Sequence, residues 1–495
     1  MSDLPQQLYR GEQVRELDRA AIQQFGISGT VLMERAGAAA FTRLQHQWPN
    51  VRRIGVICGV GNNGGDGFVV ARLAREANIE VRVYQVGDAD RLQGDALAAS
   101  QRLFSSDVNV EPFADKDLRE CDVLVDGILG TGLSGEVRGE AGYAIERINR
   151  AGVPVLSLDI PSGLNADTGA LCGAAVKADC TVTFVGVKQG LLTGKGPEYC
   201  GQLYFDDLRI PSEAYQGIQP SAQRLSYPAL ASRLRPRPRD AHKGDCGHVL
   251  VVGGEAGFTG AARMAGEAAL RMGAGLVSIA TREAHAAVLS GSRPELMCHG
   301  VEDEATFHRL AERATVIAIG PGLGQGEWSA QQLHYAMDTG LPLVLDADAL
   351  NLLSQEVRKR DNWILTPHPA EAARLLGKST QEVNRDRFAA LREVVETYGG
   401  VALLKGAGTL VMDGDSEIGV CDAGNPGMAS GGMGDVLTGV ISGLLAQGLG
   451  LDEAASLGVC LHAAAGDEAS RTAGERGLIA SDLMPWIRRL ANPTK

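Results

Sequence analysis

The sequence predicts an α/β protein made of two fused domains, each a largely parallel sheet flanked by helices. Three observations carry this. Short apolar runs alternate with amphipathic ones along nearly the whole chain, the pattern of repeated strand–helix–strand units. The 495 residues exceed one ordinary domain, and 44% apolar residues suffice for large cores. A stretch rich in Pro, Arg and polar residues, from Pro211 to about Asp240, divides the alternation into two series.

In chain order, residues 10–48 read as helical, because "EQVRELDRAAI" and "TVLMERAGAAAFTRL" repeat apolar residues at helical spacing. Strand candidates follow at "RIGVICG", "EVRVYQVG", "CDVLVDGIL", "VPVLSLDIP" and "CTVTFVG", separated by helical stretches. The Pro-rich stretch has no sustained period and reads as a linker with one short helix. The second series has strand candidates at "HVLVVGG", "LVSIAT", "TVIAIGPG", "LPLVLDAD", "NWILTPH" and "VALLKG". Two helices crowded with small residues belong to it, "TGAARMAGEAALRMGAG" and "GDVLTGVISGLLAQGL". The expected domains are residues 1–220 and 228–495, with 221–240 as the linker.

Composition excludes several classes. A net charge of −13 argues against broad binding of nucleic acid or anionic membranes. The nine cysteines contain no C-x-x-C and suggest neither a zinc site nor a disulfide framework. The start, "MSDLPQQLYRGEQ", lacks the basic and apolar regions of a secretory signal, and no run approaches 18 apolar residues. A cytoplasmic protein without membrane or nucleic-acid partners is expected.

Two loops carry the strongest signals. In "RRIGVICGVGNNGGDGFVVARLAR", Arg52 to Arg75, a strand leads into Gly59, Gly61 and Gly64 and then a helix. This is the G-x-G-x-x-G of a dinucleotide-binding turn, with Glu80 at about the expected 20 residues further on. Asn62, Asn63, Gly65 and Asp66 depart from a plain fingerprint. In "NPGMASGGMGDVLTG", Gly431, Gly432 and Gly434 precede a helix, whose free N–H groups and dipole favour an anion. Asp435 at that helix start is either a cap or a base toward a hydroxyl attacking phosphorus. The loop is no Walker A, since no Lys-Ser/Thr follows. "GPGLG" (320–324), "DAD" (346–348), "PHPAE" (367–371) and "KGAGT" (405–409) each follow a strand candidate, and ligands of open α/β sheets bind at such ends. Alone, His368 reads as a structural histidine and Lys405 as a solvated charge; beside the glycine loops both point toward a shared ligand cleft.

"GNNGGDG", "DGILGTGLSG", "DIPSG", "GPGLG", "TPHPAE", "KGAGT" and "SGGMGD" fall in one order over nearly the whole chain. In these the chain resembles the bifunctional NAD(P)H-hydrate repair enzymes. The N-terminal half is similar to the epimerase domain, a Rossmann-like three-layer α/β/α fold. The C-terminal half is similar to the ADP- or ATP-dependent dehydratase, a ribokinase-like α/β fold. The resemblance implies as substrates the hydrated forms of NADH and NADPH, with R and S epimers interconverted by the first half. The second half would dehydrate the S epimer with consumption of ADP, giving AMP and phosphate, or of ATP.

Carried onto this sequence, the resemblance makes Asn62, Asn63, Gly64, Gly65, Asp66, Gly130, Thr131, Gly132, Leu133, Ser134, Gly135, Glu136 and Asp159 the epimerase contacts, with Asp159 the acid–base group. Asn63, Asp126 and Ser162 would hold potassium, which suits amide, carboxylate and hydroxyl oxygens. Ala261, Gly322, His368 and Asp435 would contact the hydrate in the dehydratase, with Asp435 the base. Lys405, Gly406, Ala407, Gly408, Thr409 and Gly434 would hold the nucleotide, accompanied by Mg2+. A homo-oligomer is expected. Without the resemblance, "DIPSG" reads as a strand-to-turn junction. Three other readings compete: a ribokinase-like small-molecule kinase with an accessory dinucleotide-binding domain, a non-catalytic dinucleotide or RNA-associated scaffold, and a dehydrogenase. The second domain lacks a hydride-transfer constellation, which weakens the last. Retained Asp126, Asp159 and Ser162 and the acidic balance weigh against the scaffold.

Overall fold

The computed structural model describes residues 4–106, 108–114, 117–133, 135–414 and 416–493. The chain divides into two compact units, Met1–Gln223 and Arg224–Lys495.

The first unit holds a seven-stranded sheet, ordered Val110–Pro112, Glu80–Gln85, Arg53–Cys58, Val123–Gly127, Val155–Leu158, Cys180–Phe184, Gln202–Asp206. Every pairing in it is parallel. The central strands are buried almost throughout, as strands covered on both faces must be, and apart from a few buried polar residues such as Asp126, Ser157 and Thr181 they read as apolar runs. Side chains alternate between two cores. Ile54, Val56 and Cys58 pack with helices Gly11–Phe25, Gly29–Gln47, Asn62–Glu76 and Gly94–Phe104. Ile57 and Leu124 turn the other way, toward Ile145 and Ile148 of helix Gly139–Arg150. The result is the three-layer α/β/α arrangement that the alternating pattern predicts.

The second unit holds parallel strands in the order Met297–Gly300, Leu276–Thr281, His248–Val252, Val316–Ile319, Leu343–Leu345, Trp363–Leu365, Val401–Leu404. Two antiparallel strands, Thr409–Asp413 and Ile418–Cys421, extend this series. Helices Thr259–Met272 and Met433–Ala446 are rich in small residues because they touch along their backbones. A Cβ on Gly439 would stand 2.1 Å from the Ala265 carbonyl oxygen, so only glycine permits this approach.

Residues 221–240 include a strand, Ala222–Leu225, as well as the short helix Tyr227–Leu230. Leu8 pairs with Ala222 in an antiparallel bridge. Strands at 110–112, 202–206, 297–300, 409–413 and 418–421 and the 23-residue helix Leu451–Ala473 add to those read from the sequence. Among the described residues no helix is long and apolar enough to cross a membrane.

Candidate active sites

Parallel strands deliver their following loops to one sheet edge. In the first unit these loops enclose a cavity of about 680 Å³. Asn62, Asn63, Asp66, Gly130, Thr131, Gly132, Leu133 and Asp159 line it, as the motifs predict. Gly64 and Gly65 lie beneath its wall, Gly135 and Glu136 lie outside it, and Ser134 lies outside the described residues.

The glycines of the turn have separate duties. A Cβ on Gly59 would meet the Ile128 carbonyl oxygen at 1.9 Å, and one on Gly64 would meet the Gly59 oxygen at 2.0 Å. These two permit strand, turn and helix to close up. Gly61 has open space around it and lines the cavity. It precedes helix Asn62–Glu76, which starts without a side-chain cap, so its first N–H groups are free to take a phosphate oxygen.

Asp126 is fully buried. Its carboxylate accepts from Ser157 Oγ at 2.9 Å, Ser162 N–H at 2.9 Å and Ser162 Oγ at 2.6 Å. Burial pushes its pKa up, with these donors opposing. Asn63 Nδ2 donates to the Leu129 carbonyl at 3.0 Å, and Ser162 Oγ accepts from Leu129 N–H at 2.8 Å. Asn63 Oδ1, although buried, has no partner. A buried amide oxygen without a donor, joined to a carboxylate and a hydroxyl through Leu129, fits a monovalent cation.

Asp159 sits at φ 63°, in the left-handed region, and Val185 beside it at φ 65°. Both line the cavity, and for a β-branched residue this backbone is strained, as at functional clamps. The Asp159 carboxylate pairs with the ammonium of Lys188, which has no exposure to solvent, and accepts from Phe184 N–H at 3.1 Å. Lys188 spends its remaining donors on Thr183 Oγ1 at 3.1 Å and the Phe184 carbonyl at 3.0 Å.

Lys188 was not singled out by the motifs, nor was Asp18, which also lines the cavity. Asp18 had a signal: it interrupts the apolar stripe Val14–Asp18–Ile22 at four-residue spacing, an acid where the helix should be greasy. Burial, then Asp159 and Asp18, push Asp66 well above the ordinary carboxylate range, with Lys188 opposing.

In the second unit, buried Asp346 directly follows strand Leu343–Leu345. Its Oδ1 accepts from Lys405 Nζ at 2.6 Å and Thr366 Oγ1 at 2.8 Å, and its Oδ2 from Thr438 Oγ1 at 2.9 Å. Burial opposes its ionisation, yet Lys405 and the two hydroxyls hold its pKa below the ordinary range. Burial likewise opposes charge on Lys405, but Asp346, then Glu371 and Asp435, keep its pKa above the ordinary lysine value. Lys405 is thus no solvated charge.

A Cβ on Gly434 would lie 3.4 Å from Lys405 Nζ and 3.5 Å from Asp346 Oδ2, so the glycine loop meets this pair directly. Next to it, burial and then Asp346 push Asp435 up to about 7, with Lys405 opposing. Buried Arg387 holds the loop 405–409 by its carbonyls, donating to Leu404 at 2.9 Å, Lys405 at 3.3 Å and Gly408 at 3.4 Å. Thr409 Oγ1 donates to the Gly406 carbonyl at 3.0 Å, and Gly406 sits at φ 137°.

His368 caps helix Pro369–Leu376: its Nδ1 accepts from Ala370 N–H at 3.0 Å and Glu371 N–H at 3.2 Å. Its ring nonetheless remains 46% exposed, leaving a face for a ligand. Gly322, at φ 58°, abuts Ala261, whose Cβ would be 3.1 Å from a Cβ there. Among the described residues no group of three His, Cys, Asp or Glu side chains could hold a metal.

A family model described as NAD(P)H-hydrate dehydratase matches residues 249–489, and one described as YjeF-related protein N-terminus matches residues 29–190. The bifunctional NAD(P)H-hydrate repair enzyme Nnr of Coxiella burnetii is 50% identical over 486 residues, 98% of this chain and 99% of that protein. The enzyme of the same description from Escherichia coli K12 is 44% identical, over 99% of this chain and 95% of that protein. A crystal structure of a ribokinase-like superfamily protein from Enterococcus faecalis V583 is 30% identical with a TM-score of 0.50, covering 54% of this chain and 96% of that one.

Proposed function

The chain belongs to the bifunctional NAD(P)H-hydrate repair enzymes, with an epimerase half and a dehydratase half, and on that premise we propose how its residues divide the work. The observation that supports the division best is the pairing of two separate strand-end sites, one in each compact unit, each with its own carboxylate and its own glycine loop.

In the epimerase cavity the uncapped helix start at Asn62 receives the pyrophosphate, and the loop Gly130–Leu133 borders the dinucleotide. Asp159, paired with the Lys188 ammonium, acts on the C6 centre of the nicotinamide ring. Potassium would be held by Asn63 Oδ1, Asp126 and Ser162; bound there, it supplies positive charge beneath the turn that carries phosphate. Dialysis against sodium or choline should then lower epimerase activity and leave dehydration of the S epimer unchanged. Retention of full epimerase rate without potassium would remove the ion from the site.

In the dehydratase, hydroxide is a poor leaving group near neutral pH. Transfer of the terminal phosphoryl group of ADP to the C6 hydroxyl makes a good one. Asp435 takes the hydroxyl proton as oxygen attacks phosphorus, and AMP departs. The ring nitrogen pair then expels phosphate, and loss of the C5 proton restores the dihydronicotinamide. Lys405 and the N–H groups around Gly434 face the phosphates, and any Mg2+ arrives with the nucleotide. Ala261, Gly322 and His368 border the hydrate.

A base must be ionised. With Asp435 at about 7, kcat/KM for dehydration should rise as pH increases through 7 and level off above it. A profile flat from pH 5 to 9 in wild-type protein would show that Asp435 does not titrate in the reaction.

The whole reading is tested with a mixture of R and S hydrates, with and without ADP or ATP, followed by dihydronicotinamide absorbance and chromatography. Complete conversion with nucleotide requires both activities. Conversion confined to S removes the epimerase. A stable phosphorylated product would instead favour the small-molecule kinase.

A further inference from the structure

Inverting C6 requires chemistry on both faces of the nicotinamide ring, and Asp159 serves one. Asp18 enters the same cavity from helix Gly11–Phe25, between Val14 and Ile22, which line it too. Among the described residues no group hydrogen-bonds the Asp18 carboxyl, whereas Asp159 is tied to Lys188 and Phe184 N–H. The cavity therefore holds one carboxyl tied to an ammonium and one left free to exchange a proton with whatever fills the space.

We propose that Asp18 is a second catalytic acid–base group of the epimerase, working on the face of C6 opposite Asp159. This rests on the epimerase reading of the cavity. Burial pushes Asp18 up to about 6, with Lys188 opposing and Asp159 adding to the rise, so its acid form persists close to neutrality. Asp159 and Lys188 face it from the strand ends, Asp66 from helix Asn62–Glu76, Tyr215 from the turn Ser212–Tyr215, and Arg15 lies beside it on its own helix.

In one direction the Asp18 carboxylic acid gives its proton to the C6 hydroxyl. The C6–O bond breaks with its electrons on oxygen, water leaves, and the N1 pair forms an N1=C6 bond. A water on the other face then adds to C6, the N1=C6 electrons return to N1, and Asp159 takes the proton of the added water. The enzyme is left with Asp18 ionised and Asp159 protonated, the state that processes the opposite epimer with roles exchanged.

The test is full-length Asp18→Asn and Asp18→Glu, assayed from each epimer in water enriched in heavy oxygen. In wild type, each inversion should place one solvent oxygen at C6. Asp18→Asn should lose about 10²-fold or more in epimerase kcat in both directions with KM little changed. The fall of wild-type kcat/KM above pH 6 should vanish in that variant, and Asp18→Glu should recover part of the rate. Wild-type kcat in Asp18→Asn overturns the proposal, as does inversion without oxygen exchange, or equal loss in both variants with a raised KM. Absence of epimerisation in wild type overturns the epimerase reading itself, a separate outcome.

Discussion

Asp435→Asn should lower kcat/KM for dehydration of the S hydrate by about 10³-fold while epimerisation proceeds at the wild-type rate. General-base contributions run to about 10²–10⁴-fold, and an amide of the same size cannot take the hydroxyl proton. The loop around it should survive, because Asp346, Lys405, Thr366 and Thr438 hold one another without Asp435. Nucleotide affinity, read by calorimetry, should therefore change little. A variant that dehydrates at wild-type rate would reduce Asp435 to a residue of the helix start.

Asp159→Ala should halt epimerisation by a comparable factor, about 10²–10⁴-fold, with dehydration of the S epimer intact. The structure adds a complication that the motif did not show. Lys188 has no exposure to solvent, and removing its carboxylate takes away the buried ammonium's ion-pair partner, a change that costs about 3–5 kcal/mol. Lost activity in Asp159→Ala could thus reflect a loosened first unit. The double variant Asp159→Asn with Lys188→Met separates the two effects: it should recover the melting temperature and stay inactive. Epimerase activity in the double variant would show that Asp159 positions the backbone and is not the catalyst.

Much of this was legible in the sequence, for identifiable reasons. Central parallel strands must be apolar on both faces, so "RIGVIC", "VLVDG" and "CTVTF" stood out as runs, and their following loops had to share an edge. The small-residue helix Met433–Ala446 was legible because a backbone contact such as Gly439 on Ala265 admits nothing larger. Edge strands were harder. Met297–Gly300, half-buried along most of its length, carries no alternating or continuous apolar run. Helix Leu451–Ala473 is buried over much of its surface and Ala-rich, so it lacks the one-sided stripe that marks a surface helix.

Within the sites, the glycine loops were visible as local motifs, whereas their partners come from distant positions. Lys188 reaches Asp159 across 29 residues, and Lys405 reaches Asp346 across 59. No local spacing encodes either pair. His368 caps a helix through one ring nitrogen while much of its ring stays open, a double position that no local spacing could have told apart.

The unwired carboxyls carry a thermodynamic consequence. Asp18, Asp66 and Asp435 all have folded-state pKa values raised above those of an unfolded chain. Between about pH 4 and their folded values, the native protein binds protons that the unfolded chain has released, so these groups make folding less favourable as pH rises. The enzyme is therefore sprung against its own working pH. Ligands that bring compensating positive charge or donate hydrogen bonds to these groups should relieve that tension. Nucleotide does the opposite beside Asp435, because its phosphates are anionic, so the rise in melting temperature it produces should be smaller at pH 8 than at pH 5; an equal rise at both would mean that the bound nucleotide leaves this carboxyl as it found it.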